Sequence, residues 1–234
     1  MEIANILATM RKTGYFHSVD RCPVKIEINK GLAILESIGK EMTPNFVIDD
    51  SNKFVYKNMI RWMAGDPQMK AIDPTTKEVI PGNLRAGIYI AGPTGTGKTF
   101  TMDLFAIFGR ILRIPVGFNG NPDRRVLSWG SFRTDDICEE FNQQGTFDRF
   151  RKIPIVCLQD LGSEPAESMY MGNRVPVMRQ ILENRGDRQD QITLITSNLP
   201  IIHDQTAEKY GDRVVSRLCS LTNYFELKGG DRRK

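Results

Sequence analysis

The sequence predicts an α/β fold of three layers, in which helices cover both faces of a mainly parallel sheet. A chain of 234 residues with 40% apolar composition is long enough for one substantial core. Apolar stretches with strand character alternate with helical stretches: strands at Gly87–Ala91, Arg125–Trp129, Ile153–Leu158 and Ile192–Thr196, helices near Thr134–Phe141 and Val175–Asn184. A glycine-rich turn joins the first strand directly to a helix that begins at Lys98.

The main domain is expected to occupy residues 44–234. It would begin with the extended segment Phe46–Ile48 and a helix over residues 54–63, followed by a polar connection from Pro67 to Asn83. Residues 1–43 form a short, mainly helical segment in this interpretation. Its first helix spaces apolar residues at helical intervals, so it would bind a partner or pack on the chain's own core.

Composition excludes several classes of protein. The chain carries 32 basic and 28 acidic residues, a net charge of +4, which is compatible with nucleic acid without requiring it. The four cysteines, Cys22, Cys138, Cys157 and Cys219, are isolated from one another and lack metal-ligand spacing. Without a visible signal peptide or an apolar run of membrane-spanning length, the sequence predicts a cytoplasmic protein with reduced thiols and no membrane contact.

The glycine-rich turn has the spacing of a phosphate-binding loop. It runs Gly92, Pro93, Thr94, Gly95, Thr96, Gly97, Lys98, Thr99. The glycines allow backbone N–H groups to converge on an anion, and the following helix adds the positive end of its dipole. Lys98 should reach the β and γ phosphates and the Thr99 hydroxyl should bind Mg²⁺, so ATP or ADP with Mg²⁺ is the expected ligand.

Two polar residues at strand ends are the candidates for catalysis. Asp160 ends the strand that begins near Ile153 and is the acid available to a phosphate-binding site, with Glu164 as a weaker candidate. Asn198 follows the strand Ile192–Thr196 at the sheet edge where ligands of open α/β sheets bind, and could orient the attacking water. Either residue alone would be an ordinary turn residue; the phosphate-binding loop favours the catalytic interpretation.

A basic row is expected on the last helical stretch, Asp204–Leu221. Lys209, Arg213 and Arg217 fall at i, i+4 and i+8, where like charges repel unless an anion lies across them. The ATP of a neighbouring subunit would be such an anion. A solvent-exposed basic face, on which Glu208 and Asp212 reduce the repulsion between the basic side chains, explains the spacing equally well.

Four motifs in order resemble those of the DnaC/IstB group of AAA+ ATPases. They are Gly92–Thr99, Leu158–Gly162, Thr196–Leu199 and Gly211–Leu218, and the resemblance extends over roughly Phe46 to Lys228. It implies an AAA+ type P-loop fold that lacks the C-terminal helical lid, because the chain stops soon after a last strand at Asn223–Lys228. It also implies that Asn198 is the sensor 1 residue and that Arg217, with Arg213 as auxiliary, completes the ATP site of a neighbouring subunit.

The resemblance implies an ATP-dependent homo-oligomer that acts on DNA. In one branch such a protein loads a replicative helicase during DNA replication, and in the other it assists a transposase, with single-stranded DNA as a further partner. The group usually carries two acids where this chain has Gln159 and Asp160. Gln159 cannot supply the charge that holds Mg²⁺, so either Asp160 serves as both Mg²⁺ ligand and base or hydrolysis is slow. Gln159→Asp should raise Mg²⁺-dependent hydrolysis.

Two other functions remain open at this stage. An ATP-gated adaptor would bind ATP, assemble and hydrolyse little, whereas a small-molecule kinase would need an acceptor pocket and a lid. Five basic and aromatic residues close in sequence could bind single-stranded DNA: Arg124, Arg125, Trp129, Phe132 and Arg133. Core aromatics beside helix-capping arginines are the preferred interpretation of the same residues. The basic tail Arg232–Lys234 is a further candidate contact.

Overall fold

The computed structural model describes residues 3–12 and 18–232. The helices of these ranges are α1 (Ile3–Lys12), α2 (Ile28–Met42), α3 (Lys53–Ala64), α4 (Lys98–Ile111), α5 (Thr134–Gln144), α6 (Asp148–Lys152), α7 (Val177–Gly186), α8 (Asp204–Tyr210) and α9 (Asp212–Leu221). The strands are β1 (Val19–Arg21), β2 (Lys70–Ile72), β3 (Val79–Pro81), β4 (Gly87–Ala91), β5 (Pro115–Phe118), β6 (Arg125–Val126), β7 (Gly130–Arg133), β8 (Ile155–Leu161), β9 (Ser168–Tyr170), β10 (Asn173–Val175), β11 (Ile192–Ser197) and β12 (Thr222–Glu226).

The central sheet has seven strands in the order β3-β2-β12-β4-β11-β8-β7. The five strands from β12 to β7 pair in parallel, which confirms the predicted parallel α/β architecture. The hairpin of β2 and β3 extends one edge in antiparallel fashion. The expectation of a polar connection over residues 67–83 was therefore wrong, because this segment pairs with β12 and covers the edge of the sheet.

Both faces of the sheet are buried, as a three-layer fold requires. Side chains alternate along β4, so that Ile88 and Ile90 lie in the core under α2, α3 and α4. Tyr89 and Ala91 point to the other face, into the core formed with α5, α7 and α9. The last helix, α9, returns the chain to β12, which lies beside β4.

The predicted strand Arg125–Trp129 was wrong. Only Arg125 and Val126 are extended, and they pair with β5 in a separate sheet of order β1-β5-β6, while the central sheet receives β7 instead. Between β6 and β7, Leu127 and Trp129 cross the core and are buried, and the Trp129 ring packs edge-on against Trp62 at 6.4 Å. Because this connecting segment is buried, its apolar residues resemble those of a buried strand.

Much of the first 43 residues packs on the rest of the fold. Val19 of β1 pairs with Phe118 of β5, and Leu35 of α2 is fully buried in the core. The helix α1 differs, because Ile3 is 74% exposed and Ile6 and Leu7 are also exposed. Its role in binding a partner stays a prediction. In the described ranges, no helix combines the length and apolarity needed to cross a membrane.

Candidate functional site

The loop between β4 and α4 has the geometry of an anion cradle. Gly95 and Gly97 adopt φ angles of 86° and 87°, the left-handed region that glycine enters without strain, and Gly97 begins α4. The Lys98 side chain is only 5% exposed. Its ammonium donates to the carbonyl oxygens of Gly92 (2.8 Å) and Pro93 (2.9 Å), so the loop wraps around its own lysine.

A cavity of about 480 Å³ opens over this loop, and we call it the P-loop cavity. Its lining residues are Thr43, Asn45, Phe46, Val47, Asn52, Tyr56, Thr94–Thr101, Asp160, Ser163, Asn198 and Arg232. One wall is aromatic: the ring of Phe46 lies 5.1 Å from that of Phe100 and 6.0 Å from that of Tyr56. An apolar wall beside a cradle of backbone N–H groups suits a ligand with a flat base and phosphates.

Asn198 is brought to Lys98 from the end of β11. Its Oδ1 atom accepts a hydrogen bond from the Lys98 ammonium at 2.8 Å. The neighbouring Ser197 hydroxyl donates to the Leu161 carbonyl oxygen at 2.6 Å, which fixes the end of β11 against β8. The structure thus places the predicted sensor residue beside the predicted phosphate-binding lysine.

Asp160 lies inside β8, at a β-bulge. In the register with β11, Ile195 pairs with Leu158 and Ser197 with Leu161, so Thr196 faces two residues, Gln159 and Asp160. Asp160 has a φ of 57°, unusual for a residue other than glycine, and its N–H donates to the Thr196 hydroxyl at 3.0 Å. The bulge turns Asp160 into the P-loop cavity, where its side chain is 29% exposed.

Gln159 points to α4 instead. Its Nε2 atom donates to Asp103 Oδ1 at 3.1 Å, and the Ser131 hydroxyl donates to the same oxygen at 2.7 Å. Asp103 lies one helical turn after Thr99, on the same side of α4. Sequence reasoning missed Asp103, although a carboxylate four residues beyond the P-loop threonine was a visible signal.

Glu164 does not reach the P-loop cavity. It is buried, accepts a hydrogen bond from the Tyr210 hydroxyl and another from the Gly162 N–H at 2.9 Å, and pairs with the Lys209 ammonium at 3.4 Å. Burial and the Glu164 carboxylate raise the pKa of Tyr210 above its ordinary value. These contacts tie the turn after β8 to α8, so Glu164 has a structural role.

The expected basic row on one continuous helix was wrong. The chain breaks at Gly211, whose φ is 82°, so that Lys209 belongs to α8 and the two arginines to α9. Lys209 donates to the Gly162 carbonyl oxygen at 2.7 Å and does not join an anion site with Arg213 and Arg217.

The two arginines of α9 differ in their surroundings. Arg213 is exposed, whereas the Arg217 side chain is 14% exposed and forms an ion pair with Asp187. Arg217 also packs along Gly186, where a Cβ atom would lie 2.7 Å from its Cδ. In the described part of the chain, neither arginine lines the P-loop cavity.

A segment after β12 crosses the mouth of the P-loop cavity. The N–H of Arg232 donates to the Gly95 carbonyl oxygen at 3.0 Å, and its guanidinium binds both carboxylate oxygens of Asp49 at 2.7 Å. Hydrogen bonds from Ser51, and then from Arg232, hold the pKa of Asp49 below its ordinary value. A Cβ on Gly95 would lie 2.4 Å from Asp231 Cγ, so this segment lies directly on the loop. Sequence reasoning assigned Arg232 to a basic tail; Arg233 and Lys234 lie outside the described residues.

The aromatic residues considered for single-stranded DNA belong to the core. Trp129 is buried, and Phe132 packs edge-on against Phe150 at 5.2 Å. Arg133 forms an ion pair with Asp135 at 2.7 Å and contacts Asp160 at 3.5 Å, so it lies beside the site. Arg124 and Arg125 are exposed. The alternative of core aromatics is confirmed, and stacking of bases on Trp129 is excluded by its burial.

Comparison with known proteins supports the fold. No family model matches the chain, and no curated protein matches it. Among solved structures, it is similar to a putative primosome component from Streptococcus pyogenes serotype M3, with 17% identity, a TM-score of 0.51 and coverage of 86% of this chain and 98% of that chain. At this identity the likeness shows the fold alone, and the predicted three-layer α/β fold with a mainly parallel sheet is confirmed.

Two further solved structures were found at slightly lower TM-scores. The DnaC helicase loader has 15% identity and a TM-score of 0.49, covering 80% of this chain and 96% of that chain. The replication initiator DnaA, bound to AMPPCP and single-stranded DNA, has 16% identity and a TM-score of 0.48, covering 80% of this chain and 49% of that chain.

Proposed function

We propose that the chain is an ATPase that binds Mg²⁺-ATP in the P-loop cavity and works as a DNA replication protein of the helicase-loader type. The observation that carries this proposal is the convergence of Lys98, Asp160 and Asn198 on one cavity from three separate segments of the chain. The fold and the order of the motifs support the same assignment.

The cavity offers separate places for the two halves of ATP. The phosphates would lie along the N–H groups of Gly95–Thr99. There the Lys98 ammonium would give up its hydrogen bonds to the Gly92 and Pro93 carbonyl oxygens and donate to phosphate oxygens instead. The base would lie against Phe46 and Phe100. This division agrees with the polar loop on one side of the cavity and the aromatic wall on the other.

Oxygen ligands for Mg²⁺ are available in the cavity. The Thr99 hydroxyl and the Asp160 carboxylate both line it, and hydroxyl and carboxylate oxygens are the ligands that Mg²⁺ takes in proteins. Bound Mg²⁺ would neutralise charge on the phosphates. Asp160 would accept the proton of the attacking water that the Asn198 amide orients, and the products would be ADP and phosphate. Without an acid at residue 159, turnover is expected to be slow.

The site is proposed to be shared between subunits of a homo-oligomer. Arg213 and Arg217 lie away from the P-loop cavity of their own chain, as an arginine that acts on a neighbour's ATP would. Arg213 is exposed and ready for such a contact. Arg217 would have to leave Asp187, so its action in a neighbouring site would be coupled to assembly.

The partner is proposed to be a replicative helicase, recruited through α1. The exposed apolar residues of this helix, Ile3, Ile6 and Leu7, support a binding role. A transposase is the alternative partner, and single-stranded DNA is the proposed nucleic-acid ligand. An adaptor that assembles with ATP but hydrolyses little is a second candidate function, favoured by Gln159 at the position of the usual acid.

Molar mass measured by light scattering, without nucleotide, with Mg²⁺-ATP and then with single-stranded DNA, tests this proposal. We expect a larger assembly with ATP that Arg217→Ala abolishes, and no effect of Lys30→Ala, which removes an exposed charge from α2. A monomer under every condition would contradict both the loader and the adaptor. Phosphate transfer to a panel of nucleosides would favour a small-molecule kinase instead.

A further inference from the structure

Resting on the proposed function, we propose that Asp103 supplies the negative charge at the Mg²⁺ site that Gln159 lacks. Asp103 acts in this proposal as a positioning residue, holding Mg²⁺ through water together with the Gln159 amide.

The position of Asp103 supports this role. Residues four apart on a helix lie about 5–6 Å from each other on the same face, so Asp103 follows directly behind the Mg²⁺ ligand Thr99. The Asp103 carboxylate also lies against the side chain of the residue at the acid position, with 3.1 Å between Asp103 Oδ1 and Gln159 Nε2. Asp103 and Gln159 lie behind the described residues that line the P-loop cavity, so they would contact Mg²⁺ through water rather than directly.

The hydrogen bonds around Asp103 orient it. Gln159 and Ser131 both donate to Oδ1. They leave Oδ2 outside these two bonds. The amide nitrogen of Gln159 is thereby used as a donor to Asp103.

This arrangement changes the expected effect of an acid at residue 159. An acidic residue there would bring two carboxylates close together, and their like charges would repel. Gln159→Asp alone should therefore improve Mg²⁺-dependent turnover less than the sequence suggested. An acidic residue at position 159 should improve Mg²⁺-dependent turnover when Asp103→Asn is introduced with it.

Four isosteric proteins test the proposal: the natural chain, Asp103→Asn, Gln159→Glu and the double variant. For each, binding of a fluorescent ATP analogue is measured by titration in EDTA and at increasing Mg²⁺. We expect Asp103→Asn to raise the Mg²⁺ concentration for half-maximal tightening at least about tenfold, with binding in EDTA unchanged. The double variant keeps one carboxylate and one amide in the same hydrogen bond, and should return to within about threefold of the natural chain.

Asp148→Asn is the matched control, since it makes the same change to an exposed carboxylate of α6, a helix that contributes no described residue to the P-loop cavity. It should keep the natural response to Mg²⁺. A natural response in Asp103→Asn, or a double variant without a Mg²⁺ response, would overturn the proposal. The double variant decides the matter if Asp103→Asn alone does not fold. Failure of the natural chain to bind the analogue at all would instead overturn the proposed function.

Discussion

Replacing Arg185 with methionine should weaken the fold at the point where it supports the site. Arg185 is fully buried, and its guanidinium donates to the Thr193 hydroxyl (2.8 Å) and to the carbonyl oxygens of Phe150 (2.9 Å), Ile153 (2.8 Å) and Ile192 (3.0 Å). It therefore holds the start of β11 to the segment that leads into β8. These two strands carry Asn198 and Asp160 at their other ends.

The magnitude follows from two opposing terms. Four hydrogen bonds from a charged donor contribute about 6–12 kcal/mol. Burial lowers the pKa of Arg185 from 12.5 to about 9, which indicates that burying the charge costs about 5 kcal/mol. Methionine fills much of the space that the arginine side chain occupied. We therefore expect the unfolding free energy to fall by about 4 kcal/mol, the difference between the two terms and within the range for broken buried networks.

Thermal unfolding followed by circular dichroism measures this loss. At about 2–4 °C per kcal/mol for a chain of this size, Tm should fall by about 8–16 °C. Arg179→Met, on the same helix, removes an exposed pair with Glu183 and should change Tm by less than about 2 °C. Equal shifts in the two variants, or a shift of less than about 3 °C for Arg185→Met, would refute the reasoning.

Three further outcomes are expected. Arg232→Ala should speed association of a fluorescent ATP analogue by up to about fivefold in stopped flow, because it releases the exposed contact with Asp49 that holds the segment over the loop. An unchanged or slower association rate would show that this segment does not block the loop. Glu164→Gln should lower the unfolding free energy in urea by about 1–3 kcal/mol, because it weakens buried hydrogen bonds. Binding of the ATP analogue should keep its dependence on Mg²⁺. Loss of that dependence would make Glu164 part of the site. Burial raises the pKa of Tyr56 from 10.0 to about 12, so the stability that this shift contributes is complete below pH 10 and is lost as pH rises toward 12. Over that interval, Tyr56→Phe should lose about 1–3 kcal/mol less unfolding free energy than the natural chain. Equal losses in the two proteins would contradict the assignment.

The fold class could be predicted from the sequence because both of its signals are local. Buried parallel strands are short apolar runs, and the phosphate-binding loop is defined by glycine spacing within eight residues. The strand before β8 was misplaced because Leu127 and Trp129 cross the core between two sheets, and composition does not separate a buried crossing from a strand. The hairpin of β2 and β3 was missed because each strand has only three residues, which is too short for a recognisable alternation of apolar and polar side chains.

The candidate site was only partly accessible from the sequence. Lys98, Asp160 and Asn198 were each identified from the chain, and the structure brings them to one cavity. The β-bulge at Asp160, and the contact between Gln159 and Asp103, depend on the register between strands and on how α4 packs, which spacing along the chain does not encode. The same holds for Arg232, which reaches Asp49 across 183 residues.

Equilibrium binding of a fluorescent ATP analogue in the presence of Mg²⁺, compared between the natural chain and Lys98→Ala, tests the central claim most directly. Removing the ammonium at the centre of the loop should raise Kd at least about tenfold, a loss of about 1.4 kcal/mol or more, while circular dichroism shows an unchanged fold. Equal affinity in the two proteins would contradict the assignment of Gly92–Thr99 as the ATP site.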